Sequence, residues 1–367
     1  MKVLLCCILK MENHYLEEWL RHYISLGVDK IVIFDNNDTQ GKYAENIFDI
    51  DYVKECKDNN IIDVYPIPGE KQVQTRSYNK CYEMYGSEYD WLMFFDIDEY
   101  LILERNSNIK EFLSQQHFIP YEMIHINWKV YDDNDLLTVV NNDYSLVKRF
   151  TRPCQKRREV HSELKTIIRG GLKEVKFIKT PHTCDNREFS CCNAIGEKTD
   201  SKASKTNIII HKEAWLNHYI CKTIEEFCYN KLVRRGGHTI HKKDLRYNLN
   251  FFFNYNRHSL DKIKFYKEHY NIVNNTNTEY HYIDKATSVI IQESPEKIKT
   301  VKHTGIQSCI TSSNPQISKT TYVKRNKKLV PSYSHATSTY KKASIKNRRK
   351  ITTEEIARFP SRFPINK

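Results

Sequence analysis

The run Trp91-Leu92-Met93-Phe94-Phe95 is apolar at every position and is followed at once by Asp96-Ile97-Asp98-Glu99. A strand with one solvated face alternates apolar and polar side chains, whereas an unbroken apolar run must be covered on both faces, as in a parallel sheet between helices. The segment before it has the same character. Val3–Leu9 reads as a first strand. A helix is predicted from Asn13, as its cap, to Leu26, with Leu16, Leu20 and Tyr23 on one face and Gly27 as terminator. Lys30–Phe34 and Ile61–Ile67 read as strands, and Val73–Tyr85 as a helix. Strands alternating with helices predict an α/β fold with a mostly parallel sheet.

From about residue 121 the pattern is less regular. Ile124–Tyr131, Leu146–Phe150 and Val175–Ile178 are strand-like, 185–206 is a polar loop, Ala214–Leu232 reads as helical, and Leu260–Tyr270 as a further helix. The predicted domain spans residues 1–284. Residues 285–367 are rich in Ser, Thr, Lys and Asn, with basic runs at Lys324–Lys328 and Lys341–Lys350, and predict a basic, polar, flexible tail.

The carboxylates carry the chemistry. In an open α/β sheet, ligands bind beyond the carboxyl ends of the strands. Asp96 and Asp98 lie two residues apart, so on an extended backbone they point to one side. Such a pair suits a hard divalent cation, Mn²⁺ or Mg²⁺, with phosphate oxygens completing the shell. A polar turn closing the strand is the bland alternative. Asp35 follows the second strand at the same edge, where it is an Asx turn or a contact to a base or ribose. Arg76 is a candidate for a diphosphate or base, and His182 for a further metal ligand, although helix arginines and loop histidines are usually only solvated. Asp133 and Asp135, after the strand that carries Trp128, are candidates for the general base acting on an acceptor hydroxyl; a solvated acidic turn is the competing reading.

The chain has 367 residues, a formal net charge of +13 and 11 cysteines without a C-x-x-C pair. The positive charge favours phosphate-rich or anionic partners. The cysteine pattern suits buried thiols in a reducing, cytoplasmic setting. No segment has the roughly 18 apolar residues of a membrane span, so membrane contact would be peripheral. No dinucleotide fingerprint, P-loop or nucleophile elbow is present. His218, Cys221 and Cys228 match no familiar zinc spacing.

Glu12–Leu20, His22-Tyr23, Leu26–Lys30, Ile33–Asn37, Tyr78, Cys81 and the run from Asp90-Trp91 to Phe94–Tyr100 together resemble glycosyltransferase family 92 and its family 2-like relatives. Lys165–Arg169, His182, His218-Tyr219, Lys222, Glu226-Phe227, Lys231 and Arg235-Gly236 extend the resemblance to about residue 240. It implies a GT-A fold, a nucleotide-sugar donor (often UDP-linked), a divalent metal held by Asp96 and Asp98, a nucleotide contact at Asp35, and inversion at the anomeric carbon. The acceptor would be a glycan, lipid-linked or protein-linked hydroxyl, with no nucleic acid as partner. Trp128–Asp135 departs from the small-residue stretch of relatives. A nucleotidyltransferase or a non-enzymatic phosphate or nucleic-acid binder is the alternative reading.

Overall fold

The computed structural model describes residues 1–41, 44–154, 158–233, 249–256 and 258–270, with short strands at 273–276, 279–284, 289–291 and 299–300. The first half follows the apolar pattern. Strand β1 (Val3–Leu9) is followed by α1 (Asn13–Ser25), β2 (Lys30–Asp35), α2 (Asp51–Asp58), β3 (Ile62–Pro66), α3 (Gln74–Tyr85) and β4 (Trp91–Phe94). All four strands are parallel, in the order β3-β2-β1-β4. Core packs on both faces: Leu5, Trp19, Ile33 and Met93 share one cluster, and Leu4, Val32, Tyr78 and Phe94 the other. That is why β1, β2 and β4 read as unbroken apolar runs.

The second half turns the sheet back on itself. Strands β5 (Glu99–Leu103) and β6 (Met123–Val130) flank α4 (Ile109–Leu113), and α5 (Leu146–Arg149) precedes β7 (Leu164–Arg169), β8 (Cys191–Asn193) and β9 (Ala214–His218). Beyond β4 the sheet continues β7-β6-β9-β5, with β7 antiparallel to both β4 and β6. The result is a parallel three-layer half followed by a mixed extension, with an acidic pair where β4 ends. Short α6 (Ile224–Phe227), a π-helical turn at Cys228–Val233, α7 (Leu249–Tyr255) and α8 (Leu260–Tyr270) complete the main body. Strands β10 (Val273–Thr276), β11 (Glu279–Asp284), β12 (Val289–Ile291) and β13 (Lys299–Thr300) form a separate antiparallel sheet.

Three expected elements differ. Ala214–His218 is a strand, held between β5 and β6, where non-local pairing overrides a helix-compatible sequence. Leu146–Arg149 is a helical turn, capped by the Ser145 hydroxyl, which accepts from the Lys148 N–H. Val175–Ile178 joins no strand. Asn13 also starts α1 without capping it; its side-chain oxygen accepts from Asn37 at 2.9 Å. Gly27 ends that helix as expected, at φ +84°. The expected tail lies outside the described residues apart from β12 and β13.

Candidate active site at the carboxyl end of the parallel strands

The chain leaves β4 in a tight turn, Asp96-Ile97-Asp98, and re-enters the sheet as β5. The Glu99 N–H donates to the Asp96 carbonyl, and the Asp96 N–H donates to a Glu99 side-chain oxygen at 2.9 Å. Helix α1 buttresses the turn from below. The Trp19 indole donates to the carbonyls of Asp96 and Glu99, and the Tyr23 hydroxyl donates to the Glu99 carbonyl. Both ends of the turn are thereby fixed by buried hydrogen bonds.

The two aspartates have different surroundings. Asp96 accepts from Gln74 at 2.6 Å and Tyr78 at 3.0 Å through one oxygen, and its other oxygen lies 2.9 Å from the Lys165 ammonium. Lys165, fully buried on β7, also sits 3.4 Å from Glu99. Burial pushes the Glu99 carboxyl up to about 8 against the pull of Lys165, with Asp96 adding its repulsion. Burial would also raise Asp96, yet Lys165 holds it below the usual carboxylate range. Lys165 therefore serves the aspartate, and Glu99 stays substantially protonated at neutral pH.

Asp98 is only 4% exposed. The Lys222 ammonium donates to its Oδ2 at 2.9 Å, and Lys231 lies 3.8 Å from the same atom. His218 Nε2 is 3.5 Å from Oδ1. Burial opposes ionisation of Asp98, but Lys222 and Lys231 hold its carboxyl well below the ordinary range. Burial lowers the His218 imidazole despite Asp98, so it is neutral. The register explains how a residue 120 positions away arrives here. His218 is the last residue of β9, paired with Glu99 of β5, and the Tyr219 N–H donates to the Asp98 carbonyl.

The segment that carries Lys222 is braced from behind. Thr223 and Glu226 form a capping box at α6. Glu226 also takes a two-pronged contact from Arg149, at 2.7 and 2.8 Å, and accepts from the Tyr15 hydroxyl at 2.7 Å. All of these groups are buried or nearly so, and the fork geometry fixes position as well as charge.

The donors at Asp98 suit a divalent cation. An ionised carboxylate and a neutral imidazole are the forms that bind metal. Their separation is long for a hydrogen bond and near the roughly 3 Å edge of an octahedron with about 2.1 Å bonds. Among the described residues no group of three or more His, Cys, Asp and Glu side chains could hold a metal ion.

The remaining predicted residues are placed as follows. The expected ligand His182 lies within electrostatic reach of Lys165 and Asp96. Its Nδ1 donates to the Leu164 carbonyl at 2.8 Å, and burial and Lys165 lower it to about 4. The Trp128 indole lies against both His182 and His218, with ring centroids 5.2 and 4.1 Å away. Asp35 ends β2 at the same sheet edge as Asp96 and caps an Asx turn by accepting from the Asn37 N–H. A cavity of about 660 Å³ opens beside it, lined also by Asn46, Phe48 and Val64. Arg76 faces solvent in an ion pair with Glu70. Asp133 is 1% exposed, accepts from the Tyr266 hydroxyl at 2.5 Å, and lies 2.9 Å from His258. These contacts make it an anchor for α8. Asp135 is exposed and paired with Arg152 and Lys262. Arg235 and Gly236 lie outside the described residues.

Lys165, Glu99, His218, Lys222 and Lys231 carry the site's electrostatics, and only their place in the resemblance marked most of them in the sequence. The model of glycosyltransferase family 92 matches residues 2–281. The chain belongs to glycosyltransferase family 92. A family 92 protein from Ricinus communis is 28% identical over 105 residues, which is 28% of this chain and 16% of the relative's length. Similar solved structures include TarS 1–349 of S. aureus in complex with UDP, 14% identical over 46% of this chain and 47% of that one, with a TM-score of 0.29. Another is GalNAc-T7 with UDP, GalNAc and Mn²⁺, 12% identical over 36% of this chain and 23% of that one, with a TM-score of 0.24. The family match spans both halves of the site, from the β4–β5 turn to Lys222 and Lys231.

Proposed function

We propose that this family 92 chain transfers a sugar from a nucleotide-linked donor, UDP-linked in the first instance, to a hydroxyl of a glycan, lipid-linked or protein-linked acceptor, with inversion. The observation that carries the reading is the Asp98 cluster. A buried ionised carboxylate, a neutral histidine and two ammoniums meet beyond the parallel strands, where an activated sugar's phosphates would lie. In the reaction, the acceptor oxygen bonds to the anomeric carbon as the bond from that carbon to the phosphate oxygen breaks. The electron pair leaves with the nucleotide, and the acceptor's proton passes to the acceptor-side carboxylate.

Asp98 and His218 would hold a divalent cation, which when bound supplies Lewis-acid stabilisation of the departing phosphate. The protein's own groups do the rest. Lys222 and Lys231 add fixed positive charge in a water-poor setting, where it needs no reorganisation as the leaving group gains charge. Lys165 keeps Asp96 ionised. Asp35 and the cavity beside Phe48 offer a place for the nucleoside, at the same edge of the sheet. Trp128 presents a flat apolar ring, flanked by two imidazoles, on which a sugar face can stack. Of the two proposed bases only Asp135 is accessible, and we keep it as the acceptor-side carboxylate. A panel of nucleotide sugars, incubated with the protein and acceptor mixtures with Mn²⁺ or with EDTA, tests the reading. Release of the free nucleotide from one donor class supports it. No consumption of any donor under any condition sinks it.

A further inference from the structure

Three consecutive isoleucines, Ile208-Ile209-Ile210, lie at the surface rather than in the core. Ile208 is 64% exposed and its two neighbours are half-buried. The segment is held from beneath. The Ile210 N–H donates to the Asn127 side-chain oxygen at 3.0 Å, and His211 Nε2 lies 2.8 Å from the Trp128 carbonyl. The His211 ring is 6.4 Å from the ring of Trp215, which is also half-buried. The Trp215 indole N–H donates to Asn217 at 2.9 Å, the Lys129 ammonium stands 4.6 Å over the indole ring, and half-buried Ile102 lies directly opposite on β5. Trp128, by contrast, packs on His218. Successive residues of a strand point to opposite faces, so Lys129 and Trp215 share the face turned away from Trp128 and His218.

The charge around this face has one sign. From Lys202 to Lys212 there are three lysines and no acidic residue. The Thr206 N–H donates to the carbonyl of Ser162, in the tight turn Arg158–Ser162. That turn follows on the run Lys148–Arg158, in which six of 11 residues are basic and none is acidic. Nearby acids are engaged, Glu213 with Arg105 and Glu163 with Lys205.

We propose that the face centred on Trp215 and Ile208 docks on an anionic lipid bilayer. Protein interfaces are depleted in lysine, which argues against a protein partner. A nucleic acid matches the charge but leaves the isoleucines without apolar cover. A bilayer satisfies both. Indole and aliphatic side chains settle at the boundary between headgroups and acyl chains, and lysines lie against the negative surface. Lys129 reaches across the indole in the way a long cationic side chain covers apolar surface while its head stays in water. The inference is independent of the sugar-transfer reading, because docking by the opposite face leaves the donor site open.

Fluorescence of the full chain with vesicles of phosphatidylserine and phosphatidylcholine, brominated in their acyl chains, tests this. Trp19, Trp91 and Trp128 are buried, and no tryptophan follows Trp215 in the sequence, so bromine quenching reports on Trp215 and not on the tail. Wild-type emission should fall on adding these vesicles, and far less with brominated phosphatidylcholine alone. Trp215→Phe should keep vesicle affinity within about threefold and lose the quenching. Ile208→Glu, at an exposed position, should leave the melting temperature unchanged and weaken vesicle binding at least about 10-fold in sedimentation. No vesicle binding, binding without quenching, equal quenching by phosphatidylcholine alone, or quenching that persists in Trp215→Phe overturns the proposal. So does unchanged binding by Ile208→Glu. Binding of a random-sequence RNA without quenching by vesicles assigns the face to nucleic acid instead. Docking without consumption of any nucleotide sugar keeps this surface and removes the sugar-transfer reading; consumption without quenching does the reverse.

Discussion

At the scale of single residues, a carboxylate's role follows from its partners. Asp133 and Asp135 look equivalent in sequence, but Asp133 is sealed against Tyr266 and His258 whereas Asp135 faces solvent. Asp133→Asn should lower stability by about 1–3 kcal/mol, the cost of disrupting a buried charged hydrogen bond, and leave transfer per folded molecule unchanged. Asp135→Asn should lower transfer and leave the melting temperature alone. Melting curves paired with initial rates check both, and the reverse pattern would make Asp133 the base. His125 on β6 gives a pH test. Burial holds it at about 4, with Thr183 at 3.0 Å and Cys191 at 3.4 Å around its ring. Its folded value lies below the unfolded value near 6.5, so the unfolded chain binds the extra proton first. Stability from this group is complete above pH 6.5 and falls as pH drops toward 4, by about 1.4 kcal/mol per unit. Denaturant titrations at pH 7 and pH 5 should show the loss, and His125→Gln should shrink it. An identical slope in that variant would assign the pH dependence to other groups.

Among the elements, the parallel half was legible because its signal is local. Three strands buried on both faces cannot hide in a sequence, and Val3–Leu9 is found at its predicted bounds. The mixed half was not legible because its strands exist through pairing across large separations. Ala214–His218 joins β5 and β6 only after the chain has crossed the whole sheet, and a local reading makes it helical. The site was half legible for the same reason. Asp96 and Asp98 follow an obvious strand, whereas His218 and Lys222 come from a segment whose strand character was missed. Close approach between elements was equally invisible. Gly170, just after β7, packs so tightly on the Tyr89 and Gly86 carbonyls that a methyl group would collide with backbone. Gly170→Ala should cost about 1–3 kcal/mol, read by chemical denaturation; a neutral result would mean that the β4–β7 edge can shift to make room.

For the molecule as a whole, the first compact unit runs from Met1 to Cys309. We propose that donor chemistry resides in this unit and that the basic runs after it serve attachment. No helix among the described residues is long and apolar enough to cross a membrane, and each Lys or Arg near an anionic surface contributes about 1 kcal/mol. A chain ending at Cys309 should bind UDP as the full chain does and bind phosphatidylserine vesicles less. Equal vesicle binding would remove the attachment role, and lost UDP binding would place the tail in the site. The central claim concerns Asp98. Because it is buried against two lysines, Asp98→Asn should cost stability as well as function, since it strands their charges. The decisive measurement is therefore donor turnover per folded molecule, with the folded fraction fixed by circular dichroism below the variant's melting transition. The wild type should release nucleotide from a nucleotide sugar, and folded Asp98→Asn should release it at least about 100-fold more slowly, the loss typical of removing one preorganised charge contact. Turnover by folded Asp98→Asn at the wild-type rate would contradict the account.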